Sequence, residues 1–206
     1  KSSGNWVFMM FHRNAYNPTD SYSWAKWVTP SRNLIAAYDA EGDTERKNAS
    51  IVIDQCTWSN YYPDYEYAFM HKVPTNASSI ILMRLGEIYL LHAEALAMTG
   101  DLAGATEYVN KIRERAGIKT ISVPASQDAM IDAILHERRL ELAFEGFRFF
   151  DLLRHGFDRA KAIHDAMPQQ DKYWQPRFPL TEETVYMPIP QTALDNNPSL
   201  VQNAGY

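Results

Sequence analysis

The stretch HERRLELAFEGFRFFDLLRHG, residues 136–156, decides how this chain is read. Between Glu137 and Arg154 it holds four acids (Glu137, Glu141, Glu145, Asp151), four arginines (Arg138, Arg139, Arg148, Arg154) and nine apolar residues. At helical pitch, Glu137, Arg138, Glu141, Glu145 and Arg148 share an arc of about 100°. Leu140, Phe144 and Phe147 flank that arc on one side; Leu142, Phe149 and Leu153 flank it on the other. A helix that is apolar over most of its circumference is a buried one, and charges carried into the interior have to be paired. The spacing offers Glu145–Arg148 and Arg138–Glu141 at i,i+3.

Two readings compete for these acids. A glycosidase-like carboxylate pair needs one acid free enough to raise its pKa and open to a cleft. Here each acid has an arginine within reach, which holds it ionised. The spacing therefore favours a structural ion-pair network of Glu137, Arg138, Glu141, Glu145, Arg148 and Asp151. Arg84, Glu87 and Glu94, in an equally apolar preceding helix, are expected to join it. Other catalytic patterns fail. His136-Glu137 opens like a zinc-protease helix, but Leu140 stands where the second histidine belongs. The six histidines show no metal-ligand spacing, and there is no nucleophile elbow or phosphate loop. The sequence points to no enzyme, no metal and no cofactor.

The totals agree with a binding or structural role. The 206 residues are 46% hydrophobic, enough for one globular unit with a sizeable core. A net charge of −5, dispersed along the chain, gives no nucleic-acid footprint. Cys56 is the only cysteine and forms no internal disulfide. No apolar run reaches the length of a membrane span, and the opening KSSGNWVFMMF lacks the marks of a signal peptide.

Along the chain, the expectation is one mainly α domain with a small β portion. Residues 1–75 read as strand- and loop-rich, with strands at Trp6–Phe11, IVID and YEYAF. Pro30 opens a short helix, SRNLIAAYDA, which the charged EGDTERKN ends. A helical core covers 76–167. Ser78 or Ser79 caps a helix through IILMRLGEIYLLHAEALAM, Gly100-Asp101 turns the chain, and LAGATEYVNKIRERA forms the second arm. A third helix is expected from about 128 to 155, and a shorter one over FDRAKAIHDAM. Residues 168–206 read as extended. The pair at 80–116 carries part of a tetratricopeptide pattern, Leu85-Gly86 with Tyr89, then Ala105 with Val109. Its halves stand about seven residues further apart than in the standard repeat, roughly two helical turns. It is a relative of that repeat, and units of this kind need neighbouring helices to bury their faces.

RLGEIYLLHAEAL, the Gly-Asp turn, YVNKIRERAGI, ERRLELAFEGFRFFDLLRHG and MPIPQTALDNNPSLVQNAGY together closely resemble the C-terminal part of the SusD/RagB family. PSRNLIAAYDAEGDTER extends the match toward the start. Ala193, Phe147 and Leu153 depart from residues usual in the family, where Ala193 replaces a common Glu. The resemblance implies a SusD-like helical scaffold decorated by long loops, with no enzymatic activity. It implies an extracellular protein on the outer membrane of Bacteroidota that binds glycan and passes it to a SusC-like TonB-dependent transporter. It also implies an N-terminal half with a lipid-bearing cysteine, expected to lie outside these 206 residues; Cys56 follows VIDQ, which is no lipobox.

Sugars present apolar C–H faces and hydroxyl edges, so their sites favour exposed rings beside amides, carboxylates and guanidiniums. Three stretches qualify. The leading one is YNPTDSYSWAKW, with Tyr16, Tyr22, Trp24, Lys26 and Trp27. The second is TWSNYYPDYEY, with Trp58, Asn60, Tyr61, Tyr62 and Asp64. The third is QQDKYWQPR, with Asp171, Tyr173, Trp174 and Arg177. Alternative readings are a tetratricopeptide-like adaptor for protein or peptide and, further off, a helical glycoside hydrolase.

Overall fold

The computed structural model describes residues 29–56, 62–63, 65–72, 81–170 and 179–206. The chain divides into two compact units, Lys1–Asp151 and Leu152–Tyr206. The helical core expected over 76–167 therefore runs across the division. The described chain is mostly helical with one small sheet, as the sequence reading expects.

In the first unit, α1 spans Arg32–Glu41, with the Ser31 hydroxyl accepting from the Leu34 amide at 3.1 Å. Gly42 stops it, and Asp43 at once caps α2, Thr44–Ser50, by accepting from the Arg46 amide at 3.2 Å. The segment read as a helix terminator is thus also a helix. One acid serves as the end of α1 and the start of α2. Strands β1 (Ile51–Asp54) and β2 (Tyr67–Met70) pair antiparallel, with Ile51 opposite Met70 and Asp54 opposite Tyr67. β2 is buried along its length. Against this sheet gather Leu34, Tyr38, Leu140 and Ala143, with Phe144 at the margin. The Tyr38 hydroxyl donates to the Leu140 carbonyl at 2.8 Å, and burial pushes its pKa up to about 12.

The expected hairpin is present as α3, Leu85–Met98, and α4, Leu102–Arg115. The Asp101 carboxylate caps α4 on the Gly104 amide at 2.8 Å. α5, Gln127–Glu141, is capped by Ser126 and packs on both arms. Ala93, Ala97 and Ala105 are fully buried beside Leu90, Val109, Met130 and Ile134. Their small side chains let the three helices approach closely, and each large aliphatic buried there stabilises by about 2 kcal/mol. α3 starts later than its periodicity suggests. Residues 81–84 are not helical, and Ser78 and Ser79 lie outside the described residues. Arg84 keeps an extended backbone at the helix start while its side chain is held by Glu141 at the end of α5 and by Glu145 just beyond it.

The third helix expected over 128–155 is two. α5 ends at Glu141, and α6 runs over Arg148–Arg154. Between them Phe144 and Gly146 take left-handed backbone, at φ 67° and 87°. Glycine tolerates that conformation, while for phenylalanine it costs about 1–2 kcal/mol. The Phe144 ring packs against the sheet-side core, which offsets the cost.

In the second unit, α7 spans Phe157–Gln170 and α8 spans Gln191–Asn196. The segment after 168, read as extended, therefore holds a short helix opened by Pro190. Gln202 braces the extended 187–190 stretch: its amide accepts from Ile189 N at 2.8 Å and donates to Ile189 O at 2.9 Å.

Candidate functional site

The structure assembles the charged residues into one network centred on the end of α5. Glu137 is fully buried and bonds Arg46 at 2.6 Å through one oxygen and Arg113 at 2.9 Å through the other. Glu141, 3% exposed, takes Arg84 at 2.6 Å and Arg46 at 3.1 Å, and also pairs with Arg115. Glu145 takes Arg84 at 2.8 Å and Lys72 at 2.6 Å. Arg84 and Lys72 each reach the Glu141 backbone carbonyl as well, at 2.6 Å. Those bonds satisfy a carbonyl that the end of α5 leaves open. Outward from Glu137, Arg113 holds Glu41 at 2.6 Å, and His136 meets the same Glu41 at 2.9 Å. Asp43 pairs with Arg46 at 2.5 Å.

Gly86 lets the network close. A Cβ at that position would stand 2.7 Å from an Arg84 nitrogen and 2.8 Å from a Glu141 oxygen. Any side chain there pushes on the bond between the two.

The electrostatics follow. Burial pulls the Glu141 carboxyl upward, but Arg84, Arg115 and Arg46 outweigh it and hold it below the usual carboxylate range. Burial acts the same way on Glu145 and is overcome by Arg84 and Lys72. For Glu41, Arg113 and His136 win against burial. Arg46, Arg84 and Arg113 are desolvated, yet their acids raise all three above the ordinary arginine value. Lys72, by contrast, moves down, because burial exceeds what Glu145 returns. Groups held ionised this firmly are not poised to donate or accept a proton at neutral pH.

Several expected pairings are replaced. Arg138 meets Asp151 at 2.7 Å and not Glu141. Arg148 donates to the Leu135 carbonyl at 3.1 Å, and Glu145 turns to Arg84 and Lys72. The break at 142–147 removes the helical i,i+3 geometry that Glu145–Arg148 required, while Arg138 and Glu141, both still within α5, are each taken by a partner distant in sequence or beyond the turn. Glu94 is buried as expected. Glu87 is buried too, but among the described residues it joins no ion pair, and its Oε2 lacks a hydrogen-bond partner. Sequence reasoning missed Asp43, Arg46, Glu41, Lys72, Arg113 and Arg115. The Asp-x-x-Arg spacing of 43–46 was the one available signal, a capping acid three residues before an arginine.

Of the ring-bearing candidates, Tyr16, Tyr22, Trp24, Lys26, Trp27, Trp58, Asn60, Tyr61, Asp64, Asp171, Tyr173, Trp174 and Arg177 lie outside the described residues. Tyr62 is described and belongs to the interior. It is 7% exposed, donates to the Pro30 carbonyl at 2.6 Å and packs edge-on to Tyr67, with Arg32 over its ring at 4.0 Å. Its ring faces are occupied, so it leaves the set of sugar-stacking candidates. Among the described residues no group of His, Cys, Asp and Glu could hold a metal ion, and no helix is long and apolar enough to cross a membrane.

Comparison with known proteins adds an independent line. The model of the SusD family matches residues 22–206. SusD-like protein P38 of Formosa agariphila is 31% identical over 92% of this chain and 38% of its own length. The starch-binding protein SusD of Bacteroides thetaiotaomicron is 31% identical over 72% of this chain and 25% of its own. The chain thus spans well under half of these relatives. Among solved structures, a SusD homolog from Bacteroides thetaiotaomicron superposes with a TM-score of 0.67 at 19% identity, covering 88% of this chain and 44% of that one. Surface glycan-binding protein A from Bacteroides uniformis superposes with a TM-score of 0.55 at 25% identity, over 77% and 37%.

Proposed function

Because this chain belongs to the SusD family, we propose that it is part of a cell-surface protein that captures oligosaccharide without cleaving it. The captured glycan passes to a SusC-like TonB-dependent transporter in the outer membrane, beside which the protein is held by a lipid anchor. The observation that carries the reading is the family match over 22–206, joined to relatives whose names state starch and glycan binding. The network supports its non-catalytic side, since Glu137, Glu141, Glu145 and Asp151 each meet a guanidinium. Sugar contact falls to Tyr16, Tyr22, Trp24 and Trp27 first, then to Trp58, Asn60 and Tyr61, and to Tyr173, Trp174 and Arg177. A millimolar site needs only about 4 kcal/mol, within reach of two stacked rings and a few hydrogen bonds.

Affinity electrophoresis or calorimetry on a glycan panel tests this. Wild type retards on at least one glycan, and Trp24→Ala with Trp27→Ala weakens that binding. Release of labelled sugar from any oligosaccharide would replace the reading with the hydrolase one. The adaptor reading has one observation in its favour: Leu85 and Ile88 stand 62% and 38% exposed on α3. A peptide held on that face, with no glycan bound, would favour it.

A further inference from the structure

Left-handed backbone in this chain falls mostly to glycine. Among the described residues six glycines adopt it, along with two residues that carry a side chain, Phe144 and Tyr65. A Cβ makes that conformation costly, and such strain persists where surrounding contacts impose it or a ligand site uses it. Phe144 is explained by packing, because its ring lies against the core beside the sheet. Tyr65, at φ 66°, differs: the residue is 71% exposed. Burial of its ring therefore does not offset the strain.

The turn that carries Tyr65 is held from both sides. The Glu66 amide donates to the Pro63 carbonyl at 3.1 Å. Three residues earlier, Tyr62 is buried, with its hydroxyl on the Pro30 carbonyl and Arg32 over its ring. Two residues later, Tyr67 is 3% exposed and opens β2 opposite Asp54. Anchors this close leave the backbone of Tyr65 little freedom and set its side chain on a fixed base. The hairpin itself does not call for a ring there, since glycine or asparagine takes left-handed backbone at lower cost.

A tyrosine held in this way suits a sugar. Its ring offers a flat apolar face to C–H groups, its hydroxyl both donates and accepts, and only two side-chain torsions are fixed on binding. A backbone set in advance lowers the ordering cost that otherwise weakens a site of few contacts. Pro63 and Glu66 beside it are exposed as well, so a polysaccharide can approach the turn without displacing the fold.

We propose that Tyr65 is a sugar-stacking residue, its ring held out by the strained turn to receive the apolar face of a pyranose. The inference rests on the glycan-capture reading and adds to it a residue that composition and spacing do not single out.

Affinity electrophoresis in gels containing soluble starch, xylan, mixed-linkage β-glucan or mannan tests it, together with thermal melts of the same proteins. Wild type is retarded by at least one of the four. On that polysaccharide Tyr65→Asn is expected to bind about tenfold more weakly. Its melting temperature holds or rises by about 2–4 °C, because asparagine suits the left-handed backbone. Tyr65→Phe retains most of the binding, since the ring face remains. Equal retardation of wild type and Tyr65→Asn overturns this inference and leaves glycan capture standing. A melting temperature several degrees lower in Tyr65→Asn also overturns it, because the ring would then serve the fold. Failure of all four polysaccharides to retard wild type removes the glycan-capture reading itself, and this inference with it.

Discussion

The end of α5 and the C-terminal stretch over 187–203 hold their backbone in opposite ways. At Glu141 the ties are ionic, buried and distant in sequence: Arg46 lies 91 residues before Glu137 and 95 before Glu141. At Gln202 they are neutral and near, reaching Ile189 only 13 residues back. A buried ion pair is costly to assemble and costlier to break, because removing one partner strands the other's charge. A neutral amide tie contributes little when made and loses little when cut. The same outcome, a held backbone, thus comes with very different sensitivity to substitution.

Four experiments test that contrast. Arg46→Ala and Glu141→Gln are expected to cost about 3–5 kcal/mol each, the usual loss when a buried pair is opened. Chemical denaturation measures it, and a loss under about 1 kcal/mol would show the network to be solvent-screened. Arg138→Ala belongs to the same class through Asp151.

Acid comes next. Glu41, Glu141 and Glu145 are held below the ordinary glutamate value of 4.5, so the unfolded chain binds more protons than the folded one as pH falls. Their contribution is complete above about 4.5 and is lost as pH drops through the lower folded values. Melting temperature should therefore fall steeply on the acid side, and less so in Glu141→Gln. Gly146→Ala follows, at about 1–2 kcal/mol, because its φ of 87° strains any residue with a Cβ. Gln202→Ala is the smallest, about 1 kcal/mol or less. It should appear as faster amide exchange at Ile189, with global unfolding little altered.

Which of these features can be read from the chain depends on how local their causes are. The α3–α4 hairpin is legible because Asp101, Gly100 and the apolar period all lie within it. The network was legible as a kind of arrangement and not as a set of partners. Nothing local tells Glu141 to choose Arg46 over Arg138, since that choice is made by the tertiary fold, which carries the Arg46 side chain from α2 to the acids of α5. The split at 142–147 was hidden by the apolar run LAF, which continues the helical period while Phe144 turns left-handed to reach the core. Tyr62 misled for a related reason. A ring in a polar loop looks like a ligand platform until β2 and Arg32 are seen to cover it. The remaining ring-bearing candidates rest on sequence and family.

The distance that separates Arg46 from its acids also bears on time. Closing a loop of some ninety residues costs more chain entropy than forming the local helical hairpin between the partners, so the hairpin is expected to form first. Bonds absent from the transition state leave the folding rate almost untouched and slow the reverse step. The charged seam should therefore act as a latch: opening Arg46–Glu137 would shorten the lifetime of the folded chain far more than it would delay its formation.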